Sequence, residues 1–213
     1  ASNLLSAAVL IILFVGFMFA ERVWFPLKID SLLSGDKEAA GRVRQIMASI
    51  MRRVNRYLVV KTLVSAATAL CVFGIFKVAG LPLAGAIAML TFVLNFLPSV
   101  GSIIATVIAV AVAYVLTADI GTTLAIGASC TAVQFAIGNV IDPMLLGQTL
   151  RLSSFGIILS LAFWGAIWGI PGMFLAVPIM VAIMIVCAHI PWLRPVAVML
   201  SREGQPDDGM TDD

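Results

Sequence analysis

The segment NFLPSVGSIIATV, residues 95–107, decides the fold, because it interrupts a long apolar stretch with residues that break helices. No charged side chain occurs in 78–118. Pro98 has no backbone N–H and its ring clashes with the preceding turn, so a helix must stop or kink there. Gly101 permits a sharp change of direction. The segment therefore predicts the turn of a helical hairpin that occupies 81–117.

The composition places the chain in a membrane. Hydrophobic residues make up 62% of it, charged residues 11%, and the mean hydropathy is +1.11, whereas a typical soluble domain is about 25% charged. The charge-free runs 78–118, 120–141 and 152–193 are each long enough to cross roughly 30 Å of hydrocarbon as helices. They are apolar on every face, which excludes the alternating strands of a membrane barrel. The predicted fold class is an all-α, polytopic transmembrane protein.

The distribution of positive charge orients the chain. Nine of its thirteen Lys and Arg residues lie between Arg22 and Lys61, and short loops rich in these residues stay cytoplasmic. Threading the apolar runs from this anchor also brings Arg151, Arg194 and Arg202 to the cytoplasmic side. The predicted division is a transmembrane helix at 1–20, a cytoplasmic loop and basic amphipathic helix at 21–57, a span plus the first hairpin at 58–117, a span, polar connection and second hairpin at 118–193, and a cytoplasmic acidic tail at 194–213.

The first two predicted spans differ in length and in charge. The apolar segment 4–20 is at the short end for a span. Because the chain also lacks an initiator Met, we expect it to be part of a longer protein. The next span, 58–79, carries Lys61 near its cytoplasmic end, where the aliphatic stem of the side chain could snorkel toward the headgroups.

A second hairpin is predicted at 155–189, with its bend at Ile170-Pro171-Gly172. It enters from the face opposite to the first hairpin, as in the inverted repeats of many secondary transporters. Two alternatives remain for the first hairpin. Its arms of 17 and 17 residues, 81–97 and 101–117, could each just cross the bilayer. Its charge-free turn instead favours a re-entrant hairpin with a buried tip.

A basic amphipathic helix precedes the second span. Its apolar residues recur at helical spacing on one face, while arginines occupy the others. The helix could lie on anionic headgroups, touch the transport path, or simply pack against its own protein. The predicted membrane-surface residues are Arg42, Arg44, Arg52, Arg53 and Arg56.

Polar residues at membrane depth are the candidates for a solute or ion path. Asp142 is the sole acid between Asp119 and Glu203, so it is the best candidate to carry a proton or bind a cation, although a helix cap or a salt bridge with Arg151 would explain it as well. Asn95 and its neighbours could instead pair with the broken backbone. The predicted path residues are Asn95, Pro98, Ser99, Gly101, Ser102, Gln134, Asn139, Asp142, Trp168, Pro171 and Gly172.

Glycine and tryptophan alternate before the second bend. Gly165, Gly169 and Gly172 are interleaved with Trp164 and Trp168. Small residues at such spacing let helices approach closely, and the tryptophans could anchor the helix at an interface. Their position beside the bend also allows them to line a pocket.

Enzyme, metal and cofactor signatures are missing from the sequence. His189 is the one histidine and has no Cys or acid cluster at ligand spacing, and neither a G-x-S-x-G nor a Walker motif occurs. Cys71, Cys130 and Cys187 lie far apart in apolar runs, where we expect small buried hydrophobes. We therefore predict no enzyme activity, no cofactor, no metal site and no nucleic-acid partner.

The succession of these motifs closely resembles the autoinducer-2 exporter family of bacterial permease-like inner-membrane proteins. The resemblance runs over nearly the whole chain. It rests on a proline-glycine bend, a Q-x(4)-N-x(3)-P-x(3)-G segment, a Leu-Ser entry to the next helix, and a glycine-rich signature that ends in proline. The matching residues are Phe96, Pro98 and Gly101; Gln134, Asn139, Pro143 and Gly147; Leu152 and Ser153; and Gly165, Gly169, Gly172 and Pro178.

The chain departs from that family at the hairpin entries. Ser102 stands where many members carry a second proline, and Ser154 replaces a proline after Ser153. The resemblance implies an oligomeric transporter of the bacterial inner membrane that exports a small signalling molecule or exchanges sodium for protons. A secondary, ion-coupled mechanism is favoured because no nucleotide site occurs. Any coupling is expected at Asp142, with help from Gln134 and Asn139. The alternatives are a membrane scaffold, a lipid-binding oligomer that works through the basic helix, or a passive channel.

Overall fold

The computed structural model describes residues 31, 37–98, 100–142, 144–145, 152–202 and 204. Within these residues the regular structure is helical, and one isolated β-bridge joins Leu152 to Ser201. The elements are α1 Lys37–Val78, α2 Ala84–Leu94, α3 Val100–Thr117, α4 Ile120–Ala136 with a π-helical turn Ile137–Ile141, α5 Ser154–Trp168, α6 Ile170–His189 and α7 Arg194–Leu200. The predicted all-α fold is confirmed. The predicted first helix at 1–20 and half of the predicted acidic tail at 194–213 lie outside the described residues.

Four described helices are long and apolar enough to cross a membrane. Two further apolar helices, α2 and α5, are shorter than a full span. The chain is thus a multi-pass membrane protein. The four candidate spans are Glu38–Val78, Val100–Thr117, Ile120–Ile141 and Ile170–His189.

Helix α1 runs without a break for 42 residues. The basic segment and the second predicted span therefore form one continuous helix, and no turn separates residues 57 and 58. Ala, Leu, Met, Lys and Arg, which are strong helix formers, recur along it. The chain divides into two compact units, 1–49 and 50–213, and both hairpins lie in the second unit.

The first hairpin has unequal arms. Helix α2 has 11 residues and α3 has 18, which correspond to about 16 Å and about 27 Å. The first arm is shorter than the 17 residues predicted for it, because α2 starts only after Leu83, a residue with a left-handed φ of 69°. The second arm, α3, matches the predicted 101–117. Helix α2 also ends early, at Leu94, because the chain turns at 95–98. The next helix follows this turn, and the N–H of Gly101 in its first turn donates to the Leu97 carbonyl over 3.0 Å.

The second hairpin bends at Gly169, one residue before the predicted bend. Gly169 has a φ of +65°, which a glycine adopts without strain. Helix α6 then begins at Ile170 with Pro171 in its first turn, where the missing N–H of proline leaves no hydrogen bond unmade. The arms are joined by Ser160, whose Oγ donates to the Ala176 carbonyl over 2.7 Å.

Both hairpins close by the same device. A glycine at the start of the returning arm packs against a backbone carbonyl at the end of the first arm. A Cβ at Gly101 would overlap the Leu94 carbonyl, and a Cβ at Gly172 would overlap the Trp164 carbonyl. Both glycines are buried. The two bends therefore exclude any side chain at these positions.

One apolar core joins the first four helices. It is formed by buried residues of α1, α2, α3 and α4, namely Val72, Phe76, Ala84, Ile87, Ala109, Ala113, Ile126 and Cys130. Small alanines on α3 allow the close approach of α4. The expectation of buried cysteines holds for Cys130 and Cys187, whereas Cys71 is exposed.

The base of the second hairpin is tied to α7. The Ser153 N–H donates to the Leu200 carbonyl over 2.8 Å. The Ser153 side chain caps α5 by accepting from the Gly156 N–H at 3.0 Å, so the residue serves both elements.

Candidate functional site

A stripe of buried polar residues runs along α1. Tyr57, Lys61, Ser65 and Thr68 follow one another at spacings of four, four and three, which places them on one face of the helix. All four are buried. The same face continues as Val72 into the apolar core. Polar groups in a membrane helix that face protein rather than lipid are typical of paths and binding sites.

Lys61 forms an ion pair with Asp142. The Nζ atom of Lys61 lies 3.0 Å from Oδ2 of Asp142, and the two side chains are 5% and 24% exposed. The residues are 81 positions apart in sequence, so the pair links α1 to the end of α4. Since each charge alone would be strongly penalised in this setting, removal of one partner should destabilise the fold by about 3–5 kcal/mol.

The two oxygens of Asp142 are in different surroundings. Oδ1 is buried and has no hydrogen-bond partner among the described residues. An ionised carboxylate can accept about four hydrogen bonds, and an unpaired buried acceptor costs about 1–3 kcal/mol or more. The carboxylate thus keeps unfilled capacity to bind a donor or a cation. Tyr57 lies one helical turn before Lys61 on the same buried face of α1.

A π-helical turn positions Asp142. The turn Ile137–Ile141 follows α4 directly, and Asp142 is the residue that ends it. Such turns insert one extra residue into a helix and occur often at functional sites. At the other end of α4, Asp119 caps the helix by accepting from the Thr122 N–H at 2.7 Å. The ends of α4 therefore carry two carboxylates in different surroundings, because Asp119 is exposed.

Asn95 fastens the tip of the first hairpin to α1. Its Nδ2 atom donates to Ser65 Oγ over 3.2 Å and lies 3.5 Å from Thr68 Oγ1. Asn95 is buried, so this amide pairs with protein in the position where the sequence also allowed a solute contact. Since Ser65 is one turn after Lys61, the hairpin tip and the ion pair share the stripe on α1.

The other predicted path residues of the first hairpin and of α4 are uncharged and differ in exposure. Pro98 and Ser102 are half-buried and Gly101 is buried. Ser99 lies outside the described residues. Gln134 is half-buried on α4. Asn139 is exposed, and its Nδ2 donates to the Phe135 carbonyl of its own helix over 3.0 Å.

The second hairpin contributes an aromatic tip. The rings of Trp164 and Trp168 lie 4.8 Å apart. Trp168 and Pro171 are exposed, whereas Gly172 is buried. The predicted path residues are therefore divided between the first tip, the end of α4 and the second tip.

A ring stack joins the two hairpins. Phe96, next to Asn95, stacks on Phe174 of α6 with ring centroids 5.6 Å apart and an interplanar angle of 25°. Phe92 adds an edge contact to Phe96 at 5.5 Å. Because Phe174 lies just over one turn after the bend at Gly169, the two tips are close together.

Four of the five predicted membrane-surface arginines are exposed. These are Arg42, Arg44, Arg52 and Arg56, while Arg53 is buried. Arg53 precedes Tyr57 by four residues and so continues the polar stripe. It therefore faces protein, unlike the arginines that the sequence grouped with it.

The sequence missed the partner of Asp142. Lys61 does not snorkel, because its ammonium group is buried against a carboxylate that attracts it more strongly than distant headgroups would. The predicted partner Arg151 lies outside the described residues. The signal that could have revealed Lys61 is the four-residue spacing of polar residues from Tyr57 to Ser65 within a predicted span. No group of three His, Cys, Asp or Glu that could hold a metal ion occurs in the described part of the chain.

Comparison with known proteins places the chain in a family. The model of the AI-2E family transporter matches residues 1–192. A protein of Borreliella burgdorferi named "Putative transport protein" is 31% identical over 201 residues, which cover 92% of this chain and 54% of the relative. A protein of Haemophilus influenzae with the same name is 32% identical over 200 residues, with 93% and 57% covered.

A third relative carries a more specific name. The "AI-2 transport protein TqsA" of Escherichia coli is 30% identical over 200 residues, which cover 94% of this chain and 57% of the relative. The chain spans about half the length of the curated relatives that it matches. The match nevertheless includes both hairpins and the residues of the ion pair. The chain therefore belongs to the AI-2E family of transporters.

Proposed function

We propose that this chain forms the membrane-embedded part of a secondary transporter of the bacterial inner membrane, which exports a small solute or exchanges sodium for protons. The observation that carries the proposal is the buried ion pair of Lys61 and Asp142 between membrane helices. Ionisable residues within membrane helices are expensive and mark ion or substrate pathways. Membership of a transporter family supports the same conclusion.

The exported solute is proposed to be a small polar signalling molecule. The relative named AI-2 transport protein supports this choice. The path would run between the two hairpin tips, where Asn95 and Trp168 offer polar and aromatic contacts. We propose that several copies of the chain assemble, since close-packing glycines and alanines are abundant on its helices.

Ion coupling is assigned to Asp142. It is the one acid of the apolar region between Asp119 and Glu203, and it sits at the end of α4 with one oxygen unpaired among the described residues. A carboxylate in this state can gain and lose a proton or a cation during a transport cycle. Asn139 is turned to its own helix, so the coupling role rests on Asp142.

Both hairpins are proposed to be re-entrant. Helix α2 is about 16 Å long and α5 about 22 Å, and both are shorter than roughly 30 Å of hydrocarbon. The tip at Asn95 lies beside Ser65, which is seven residues after the start of the predicted span 58–79. Contact between Phe96 and Phe174 supports two tips that meet inside the membrane.

Reconstitution tests the proposal. The full protein in liposomes should move AI-2, sodium or protons when a sodium or proton gradient is imposed. Asp142→Asn should reduce gradient-driven flux at least about tenfold, because the coupling carboxylate is lost. Asp119→Asn is the matched control, since that carboxylate is exposed at the opposite end of α4, and its flux should stay near that of the natural protein.

Other results would point elsewhere. Solute flux that ignores both gradients would indicate a passive channel. A protein that moves neither ions nor solutes, and whose cellular phenotype survives Asp142→Asn, would be a scaffold or a lipid-binding component. Either outcome rejects secondary transport.

A further inference from the structure

The pairing of Lys61 with Asp142 is unusual as a purely structural contact. Buried ion pairs are weak stabilisers, because apolar residues of similar volume often serve as well or better. Here the pair also leaves Oδ1 of Asp142 buried and unpaired among the described residues. A structural pair would gain from filling that position. The arrangement instead holds the carboxylate by one contact at 3.0 Å and leaves the other oxygen without a partner among the described residues.

We propose that Lys61 is a tethered substitute for the transported cation. In this scheme Asp142 holds one positive charge at a time, either the Lys61 ammonium at Oδ2 or a proton or monovalent cation that enters at Oδ1. Binding of the free cation releases Lys61, and loss of the cation restores the pair. The inference rests on the proposed function, and it names the exchange by which the site couples to an ion.

The charge balance at the site supports an exchange. In the described structure, the Lys61 ammonium contacts Asp142, and it is the one positive charge shown to do so. Arg53 and Tyr57 are further titratable residues on the same buried face of α1. A second positive charge beside the paired ammonium would be repelled, because the site is buried and poorly screened. Simultaneous occupancy is therefore disfavoured, and the two cations compete.

The π-helical turn offers a way to break the pair. The hydrogen bonds of the turn Ile137–Ile141 could change from the π-helical to the α-helical pattern. Asp142 would then rotate by about 100° around the helix axis. Such a rotation would carry the carboxylate away from Lys61 without moving α1, which is held by Ser65 and Thr68 at the hairpin tip. Release of Lys61 would then need movement only at the end of α4.

Chemical modification of Lys61 tests the exchange. The full protein in nanodiscs is treated briefly with acetic anhydride, and acetylation of Lys61 is measured by mass spectrometry relative to Lys77. Lys77 is exposed at the other end of α1, so it corrects for the effect of pH on amine reactivity. Release from Asp142 should raise the ratio of Lys61 to Lys77 acetylation about tenfold, the effect of losing one charge-assisted hydrogen bond.

Two comparisons distinguish sodium from the proton as the competing cation. Sodium chloride is compared with choline chloride at pH 8, and pH 6 is compared with pH 8 in choline chloride alone. A ratio that rises with sodium identifies sodium as the competitor, and one that rises only with acid identifies the proton. Asp142→Asn is the positive control, because it should raise the ratio under every condition.

A flat ratio in both comparisons, with the ratio raised in Asp142→Asn, would overturn the inference. If Asp142→Asn does not fold, Lys61→Gln provides the second measurement. Its melting temperature should become more sensitive to the same cation, with half-maximal stabilisation at about tenfold lower concentration. An unchanged cation sensitivity of Lys61→Gln would also overturn it.

Failure of the inference differs from failure of the proposed function. If the natural protein transports and Asp142→Asn abolishes coupling, a flat acetylation ratio rejects only the role of Lys61. If the natural protein transports nothing in liposomes, secondary transport is rejected whatever Lys61 does.

Discussion

The rings of Phe96 and Phe174 stack with their centroids 5.6 Å apart, and this contact joins the tips of two hairpins that lie far apart in sequence. Phe96 follows Asn95, which holds α1, while Phe174 follows the bend of the second hairpin. A movement of one hairpin tip would therefore act directly on the other through this ring contact. Stacked aromatic pairs contribute about 0.5–1.5 kcal/mol beyond the area that they bury.

The stack gives a first prediction. Phe96→Leu and Phe174→Leu should each lower the free energy of unfolding, and a double-mutant cycle should return a coupling of about 0.5–1.5 kcal/mol. Unfolding in detergent by chemical denaturant measures it. Phe155→Leu is the control, because Phe155 is 71% exposed. A coupling near zero would mean that the two tips do not support each other.

The glycine of each bend gives a second prediction. Gly101→Ala and Gly172→Ala should each destabilise the protein by about 1–3 kcal/mol, because the added methyl group would displace a backbone carbonyl. Gly74→Ala is the matched control, since a Cβ there meets nothing within 4 Å. It should stabilise α1 by about 0.5–1 kcal/mol. Equal effects at all three glycines would contradict the close approach at the bends.

The cap of α4 gives a third prediction, on pH. Hydrogen bonds from the side chain and backbone of Thr122 hold the pKa of Asp119 below its ordinary value. The ionised carboxylate therefore stabilises the folded protein above the ordinary pKa near 4, and this contribution disappears as the pH falls through the lowered pKa.

Thermal melting between pH 7 and pH 3 checks the effect. Asp119→Ala should be less stable than the natural protein at pH 7, and the difference should shrink below pH ~4. Asp119→Asn keeps a capping oxygen without a charge, so it should lose less stability than Asp119→Ala. A difference between the natural protein and Asp119→Ala that stays constant over the whole range would show that the charge of Asp119 is irrelevant.

The depth of the hairpin tips gives a fourth prediction. Single cysteines at Val100 and Ile170, which are exposed beside the two bends, should react slowly with a bulky, membrane-impermeant maleimide from either side. The endogenous Cys71, Cys130 and Cys187 are first replaced by alanine. Ile120→Cys is the control, because it lies at the exposed start of α4 and should react rapidly from one side.

Rapid labelling would contradict re-entrance. If Val100→Cys reacted as fast as Ile120→Cys, but from the opposite side of the membrane, the first hairpin would cross completely. The same comparison applies to Ile170→Cys for the second hairpin.

The turns of both hairpins were predictable because their causes are local. Pro98 and Gly101 stop and redirect the chain whatever surrounds them. The length of the first arm could not be predicted from local sequence. The end of α2 depends on the hydrogen bonds that Asn95 makes to α1, about 30 residues earlier in the chain. Such tertiary contacts leave no periodic signal in the short arm itself.

One of the two residues of the candidate ion site could be predicted from the sequence. Asp142 stood out because acids are rare in apolar sequence. Its partner did not, because pairing over 81 residues depends on how α1 and α4 pack. The prediction that Lys61 snorkels was based on its own helix alone. The acid that it pairs with lies on another helix.

The short first arm has a further consequence. Because α2 ends at Leu94 and the next residue, Asn95, lies opposite Ser65, the tip stops about one helical turn short of Lys61 on α1. An arm longer by one turn would bring the tip level with the ammonium group and cover it. The length of α2 therefore acts as a spacer that keeps the charged end of the stripe uncovered by the hairpin.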